Sequence, residues 1–403
     1  MMQPAMPLAE ARRWILDSVP ALQPIELPLA EAYGSVAAAE VAAEYDIPPF
    51  SAAETAGFAA RSADVVGATP SAPVSLRVAG TVEAGRPPDV TVGWGEAVRV
   101  VAGAPVPAGA DCVIPGSGGA ADDGAVRVID PVDAGANIRR AGEDVEAGAI
   151  LVPAGRRLAA PELGILATAG FGSILAYPKV RVAVISLGHL IEPGRPTGFG
   201  QVRDSVSYLL LGALRDVGAV PYRIGIVADV QRDLRDAVLS NALRADAFVV
   251  TGDGGRTVSD ALVGLGDVRS QTVAVHPGSP VGFGTVEGKP FFSLSGKPVS
   301  AFVSFESFVR PAVLRMMGRS DLARPELRAV LDEAPQGPPG VTLLIPARLT
   351  RREGTWHCAP TGPAAESRLG SVVRANALMA VPPDETPSVG SEVRLQVLRP
   401  LER

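Results

Sequence analysis

Cysteine, histidine and lysine are all scarce in this chain. Two cysteines, Cys112 and Cys358, stand far apart in 403 residues, which excludes a disulfide framework and a four-cysteine zinc site and fits a reducing compartment. The three histidines (His189, His276 and His357) fall in separate segments, so no histidine-based metal cluster is visible. Lysine occurs only at positions 179, 289 and 297 among 37 basic residues. The excess of arginine, alongside abundant alanine, is a compositional bias and carries no functional signal by itself. A formal net charge of −6 leaves no broad cationic surface, so sequence-independent binding to nucleic acid is not expected. No run of about 18 apolar residues occurs, and the start "MMQPAMPLAEARRWILDSVP" lacks the apolar core of a signal peptide. The expectation is a cytoplasmic, soluble protein with no membrane insertion.

What is present is apolar material in quantity. Apolar residues make up 47% of the chain and the mean hydropathy is +0.23, enough to bury several cores; at roughly 150 residues per domain the length suggests about three. Gly and Pro are dispersed and mark turns. Residues 8 to 44 carry helical spacing, in "LAEARRWIL" and again in "LAEAYGSVAAAEVAAE", which predicts two helices packed together. From 45 to 144 short β-type runs such as "VSLRVAG", "AVRVVAG" and "CVIP" alternate with Gly and Pro clusters, the texture of a small β-rich insert. Residues 145–176 return to helix, so 1–44 and 145–176 are read as one discontinuous helical domain around the insert 45–144. From 177 to 320 strands and helices alternate ("VRVAVISLG", "SVSYLLLGALRDVGA", "VPYRIGIVAD", "DAFVVTG"), which argues for a mostly parallel sheet with helices on both faces. Residues 321–403 are β-rich again.

In open α/β sheets ligands gather at the carboxyl ends of the strands, which directs attention to four loops: "SLGHLIEPG", "TGDGGRTVSD", "HPGSP" and "SGKPVS". In the last, Gly296 permits a sharp turn and Pro298 suits a first helical position, so free N–H groups beside Lys297 and Ser300 would seat an anion. A bare strand-to-helix turn fits the same residues. Gly252, Gly254, Gly255 and Arg256 offer a second anion contact; a solvated arginine on a turn is the competing reading. Asp229, Asp253 and Asp260 follow strands of one sheet and could surround a cation such as magnesium, or cap helices, which suits Asp229 best. His276 is a candidate base or a strand-end histidine. In the insert, "NIRRAGEDV" sets Arg139 and Arg140 before Glu143 and Asp144, a site rim or an exposed ion-pair cluster. No P-loop, dinucleotide fingerprint or Ser-His-Asp order occurs.

Taken in order, "IPPF…AGFAARSAD" (47–64), "VAGAPVPAGAD" (101–111), "NIRRAGEDVEAGA" (137–149), "ISLG" (185–188), "TGDGG…SD" (251–260), "HPGSP…GFG" (276–284) and "SGKPVSA" (295–301) resemble the molybdopterin molybdenumtransferase family, MoeA in bacteria and the E domain of gephyrin. The resemblance spans nearly the whole chain. It implies a multidomain fold: a discontinuous helical domain, a β-rich insert, a three-layer α/β molybdopterin-binding-like domain and a C-terminal β-barrel, in an elongated homodimer. The activity it implies is insertion of molybdate into adenylylated molybdopterin with magnesium, in a cleft between subunits. It also implies roles for Asp144, Asp229 and Asp260 in catalysis, the last two at the metal, and for Arg139, Arg140, His276, Ser279, Gly296, Lys297, Pro298 and Ser300 in ligand binding.

The departures from the family pattern fall on charged positions. Ala56 stands where the family has an acid, Ala102 where it has a threonine, His189 and Leu190 where it has an acid pair, and His276 and Ser279 where it has two lysines. Asp253, Arg256 and Lys297 bring charges that the family lacks. Each lost charged contact to an anion weakens binding by about 1.5–3 kcal/mol. The scaffold residues persist while the chemical ones change, which predicts a family member with an impaired active site or, alternatively, a non-catalytic dimeric scaffold of the gephyrin kind that holds a protein partner.

Overall fold

The run Arg181–Leu187, RVAVISL, is apolar at nearly every position because both of its faces are covered. It is the second strand of the central sheet in the structure, a computed structural model that describes residues 5–122, 124–252, 255–363 and 366–399. The chain gathers into two units: Met1–Leu27, Gly34–Ala38 and Leu175–Arg403 form one, and Pro28–Tyr33 with Ala39–Ile174 form the other.

The first unit holds the α/β domain. Its strands β1 (Arg181–Leu187), β2 (Val220–Val227), β3 (Ala247–Thr251), β4 (Gly266–Gln271), β5 (Val281–Val286) and β6 (Lys289–Leu294) lie side by side in the order β2-β1-β3-β6-β5-β4. The first four in space are parallel, and β5 and β4 complete the sheet antiparallel. The tight β5–β6 turn places Glu287 and Gly288 at φ 50° and 73°, the all-positive pair of a twist-matched hairpin.

Alternation sorts the strand residues between two cores. Ala183, Ile185, Phe248, Val250 and Phe291 pack under α2 (Gln231–Asn241) and α3 (Gly255–Ala261). Val182, Val184, Val249, Phe292 and Leu294 face α1 (Val206–Asp216), α4 (Pro298–Ser304) and α5 (Arg310–Met316). Fully burying each Phe contributes about 1.5–3 kcal/mol.

The N-terminal helix Leu8–Ser18 joins the second of these cores through Ala11 and Ile15, with Trp14 edge-on to Phe283 at 5.1 Å. This corrects the expectation that it packs against a helix formed by residues 29–44; it packs on α5 instead. Residues 29–44 form no helix: Gly34, at φ 83°, turns the chain, Val36–Ala37 pairs with Ala176–Tyr177, and Val41–Ala42 pairs with Ile150–Val152. Helix propensity over an alanine-rich stretch is a weak preference, and cross-strand pairing of the two valines overrides it.

The C-terminal strands Glu326–Leu331, Thr342–Arg352, Thr355–Pro360, Ala377–Val381 and Glu392–Val397 form a closed five-stranded barrel, because Thr342–Arg352 pairs with both Thr355–Pro360 and Ala377–Val381. Leu331, Ile345, Met379 and Leu395 fill it. The short strand Val275–His276 pairs with Thr342–Leu343 and ties the α/β domain to the barrel.

In the other unit, a six-stranded sheet includes Gly57–Ala60, Val74–Val82 and Glu96–Val100. Gly57 is obligatory there, since a Cβ would fall 2.0 Å from the Ile114 carbonyl oxygen. Among the described residues no helix is long and apolar enough to cross a membrane.

Candidate functional site

The carboxyl ends of β1, β3 and β6 meet through bare backbone. The Gly252 N–H donates to the Leu294 carbonyl at 3.0 Å, which holds the end of β3 against the end of β6. Gly252 has φ 150°, and a Cβ there would lie 2.7 Å from the Leu187 carbonyl oxygen; a Cβ on Gly296 would lie 3.3 Å from Gly252 Cα. The glycines that the sequence marked as a turn therefore let three strand ends close up into a floor of peptide groups.

Beside that floor a charged cluster is turned inward. Asp204, with its side chain 1% exposed, accepts hydrogen bonds from Ser186 Oγ at 2.6 Å, Ser207 Oγ at 2.6 Å, Ser207 N at 3.1 Å and Arg223 Nη2 at 2.8 Å. Burial alone would raise its pKa; the donors from Ser186, Ser207 and Arg223 outweigh burial and hold Asp204 below the ordinary carboxylate range. Arg223 also pairs with Glu192 at 2.8 Å. Glu192 thus binds an arginine of the neighbouring strand.

At the end of β6 the charges face outward. Pro298 opens α4, as its fixed φ favours. The helix start meets protein: the Val299 and Ser300 N–H groups donate to the Glu366 carbonyl at 2.9 and 3.4 Å, and Lys297 Nζ pairs with the Glu366 carboxylate at 2.5 Å. The Ser300 hydroxyl is buried without a hydrogen-bond partner among the described residues. Ser279, where the family has a lysine, accepts the Val273 N–H at 3.0 Å, and half-buried His276 lies in the strand that pairs with the barrel.

Asp229 and Asp260 are both exposed, and Asp260 accepts a side-chain N–H from Gln231 at 3.2 Å. The N-cap of α2 is Val230, without a side-chain cap, so the capping role expected of Asp229 is not seen. Among the described residues no three His, Cys, Asp or Glu gather to hold a metal ion. Gly255 and Arg256 are helical, in α3; Asp253, Gly254 and the Arg256 side chain lie outside the described residues. In the other unit Arg139 pairs with Asp144, and the Arg140 N–H donates to Glu143 at 2.8 Å. Cys112 and Cys358 are buried, and burial pushes their thiols up to about 12 and about 11, which keeps both inert.

Two residues escaped the sequence reading. Arg223 was detectable as a charge inside the apolar strand "VPYRIGIV", a residue type rarely buried without a partner. Glu366 gave no local signal, because it reaches Lys297 across 69 positions.

Models of known families match along the chain: the MoeA N-terminal region (domain I and II) at residues 6–170, a probable molybdopterin binding domain at 183–315 and the MoeA C-terminal region (domain IV) at 328–398. Molybdopterin molybdenumtransferase 2 of Mycobacterium tuberculosis is 35% identical over 401 residues, covering 96% of this chain and 98% of that protein. The molybdopterin molybdenumtransferase of Haemophilus influenzae is 29% identical over 327 residues, 79% of each chain. Among solved structures, the molybdopterin biosynthesis MoeA protein from Pyrococcus horikosii superposes with a TM-score of 0.82 at 27% identity, covering 99% of this chain and 100% of that one. With three family models in order and a full-length relative above a third identical, the chain belongs to the molybdopterin molybdenumtransferase family of molybdenum-cofactor biosynthesis.

Proposed function

We propose that this protein receives an adenylylated molybdopterin at the ends of β1, β3 and β6 and inserts molybdate into it poorly. One observation carries the reading: Lys297 and the start of α4, the cationic corner of the strand-end floor, are engaged by Glu366. A pyrophosphate arriving there has to displace an internal carboxylate and a backbone acceptor. Ser279, where the family has a lysine, is neutral and supplies no positive charge in compensation.

Magnesium in proteins is usually held by one or two carboxylates and completed by water and substrate phosphate. Asp229 and Asp260, both exposed, are the carboxylates that would hold it, and when bound it would neutralise phosphate charge. We take the working form to be a cytoplasmic homodimer.

The test is molybdenum incorporation into adenylylated molybdopterin with magnesium, run beside a family member that retains both lysines and the acids. Incorporation well below that reference is expected; parity overturns the reading. Because Ala56, Ala102, Leu190 and Ser279 replace functional side chains while the fold persists, a non-catalytic scaffold that holds a protein partner is the second reading. Calorimetry separates them: weak, magnesium-dependent pterin binding supports the impaired enzyme, and none supports the scaffold.

A further inference from the structure

A second polar cavity lies further along the helix that begins at Pro298, and its origin is a proline. Pro311 has no N–H to give to the carbonyl of Ser307, four residues earlier, and its ring crowds that carbonyl. The helix widens in response: Phe305–Val309 is a π turn, with the Arg310 N–H reaching back to Phe305. The Ser307 carbonyl left without a helical donor accepts Arg12 Nε at 3.2 Å, so a backbone defect aims an arginine of the N-terminal helix. Such π turns recur at functional sites.

The cavity beside it has a volume of about 200 Å³ and is lined by Arg12, Glu306, Ser307, Arg310, Arg324 and Glu326, among others. Its charges are unevenly matched. Arg324 takes both oxygens of Glu306, at 3.0 and 2.8 Å. Arg310 is only 8% exposed; its Nη1 donates to the Leu322 carbonyl at 2.8 Å, but its buried Nε lies 3.8 Å from Glu306 and has no hydrogen-bond partner among the described residues. The Ser307 hydroxyl, 1% exposed, is also without one. Buried donors left unpaired are uncommon and costly, and here the two residues that carry them line one cavity with Arg12 and Arg324, against the two carboxylates Glu306 and Glu326, the latter acting on Arg12. Burial, and then the nearby Arg324, lower the pKa of Arg310, while Glu306 opposes them.

We propose that this cavity binds a small tetrahedral oxyanion, held by Arg12, Arg310 and the Ser307 hydroxyl. Guanidiniums suit such ions because their N–H groups are fixed in a fork that matches the oxygen spacing. The volume admits an inorganic ion with a water or two and falls below the roughly 300 Å³ at which pockets for larger ligands begin, which argues against a nucleotide. The position is separate from the strand-end floor, since Pro298 and Arg310 are twelve helical steps apart, roughly 18 Å.

The probe is selenate, a sulfate analogue visible by anomalous scattering. Crystals of the full chain grown without sulfate or phosphate and soaked in selenate should show an anomalous peak between Arg12, Arg310 and Ser307. In titration calorimetry, Arg12→Gln and Arg310→Met should each lower selenate affinity about tenfold or more, with circular dichroism confirming the fold. Arg12 is only half-buried and not part of the Glu306 pair, so Arg12→Gln decides the matter if Arg310→Met fails to fold. A peak found only elsewhere, no peak, or unchanged affinity in Arg12→Gln overturns the proposal.

Discussion

The ends of β1 and β6 lie within contact of the same glycine, Gly252, yet they hold their charges in opposite ways. At β1 the carboxylate of Asp204 is 1% exposed and saturated by two serines and an arginine. At β6 the cation of Lys297 is 50% exposed and meets one carboxylate from a distant segment. A buried network of the first kind fixes a loop, because removing any member strands the others without water. An exposed pair of the second kind contributes little to stability and is readily exchanged for another partner. The comparison shows why charge can change at the end of β6 at little cost to the fold, whereas a change at the end of β1 disturbs a buried network.

The sharpest way to break this contrast is Asp204→Ala. It deletes the acceptor of four hydrogen bonds and leaves the half-exposed Glu192 as the one carboxylate described beside Arg223, so urea unfolding at neutral pH should show a loss of about 3–5 kcal/mol. A loss under about 1 kcal/mol would mean that water enters and that the two strand ends do not differ in kind. The pH dependence checks the same point. Asp204 is held below the usual carboxylate pKa, so its contribution is complete above the unfolded-state value of about 4 and is lost as pH falls through the depressed folded value. Wild-type stability should therefore fall more steeply below pH about 4 than that of Asp204→Asn.

Gly252→Ala comes next. The added methyl would sit 2.7 Å from the Leu187 carbonyl oxygen at φ 150°, so the ends of β1 and β3 have to separate. A loss of about 1–3 kcal/mol is expected in the same unfolding measurement, with weaker binding of any strand-end ligand. A neutral result would show that the floor is pliable and that its glycines are not what brings the two ends together.

How much of this was legible depended on how local each cause is. The parallel strands announced themselves, because burial on both faces forces apolar runs such as "RVAVIS" and "AFVVT". The glycine turns could be read for the same reason, since a positive φ leaves few residue choices. The helix expected over 29–44 failed because an alanine-rich stretch states only a preference, which pairing with residues 150–152 and 176–177 overruled. Pro311 was visible, but not that the carbonyl it releases would be taken by Arg12, 295 positions away. At the site, Ser279 and Lys297 were picked out as residues. Their partners, Val273 N–H and Glu366, are set by tertiary structure and no local pattern encodes them.

The smallest expected effect on stability sharpens the comparison most. Glu366→Gln removes the carboxylate from Lys297 and leaves the Glu366 backbone carbonyl free to keep its bonds from Val299 and Ser300. For a pair with side chains 50% and 28% exposed, unfolding stability should change by less than about 1 kcal/mol. Binding should respond more than folding does. With the Glu366 charge removed, one carboxylate fewer repels an incoming anion at this corner, and pyrophosphate affinity measured by calorimetry should rise roughly three- to tenfold. If affinity does not move, Glu366 is not what keeps Lys297 from a ligand, and the end of β6 is as self-contained as the end of β1. If it rises while stability holds, then one exposed carboxylate from a segment remote in sequence limits how strongly the strand-end floor holds phosphate, and repairing the binding corner requires no change to the core beneath it.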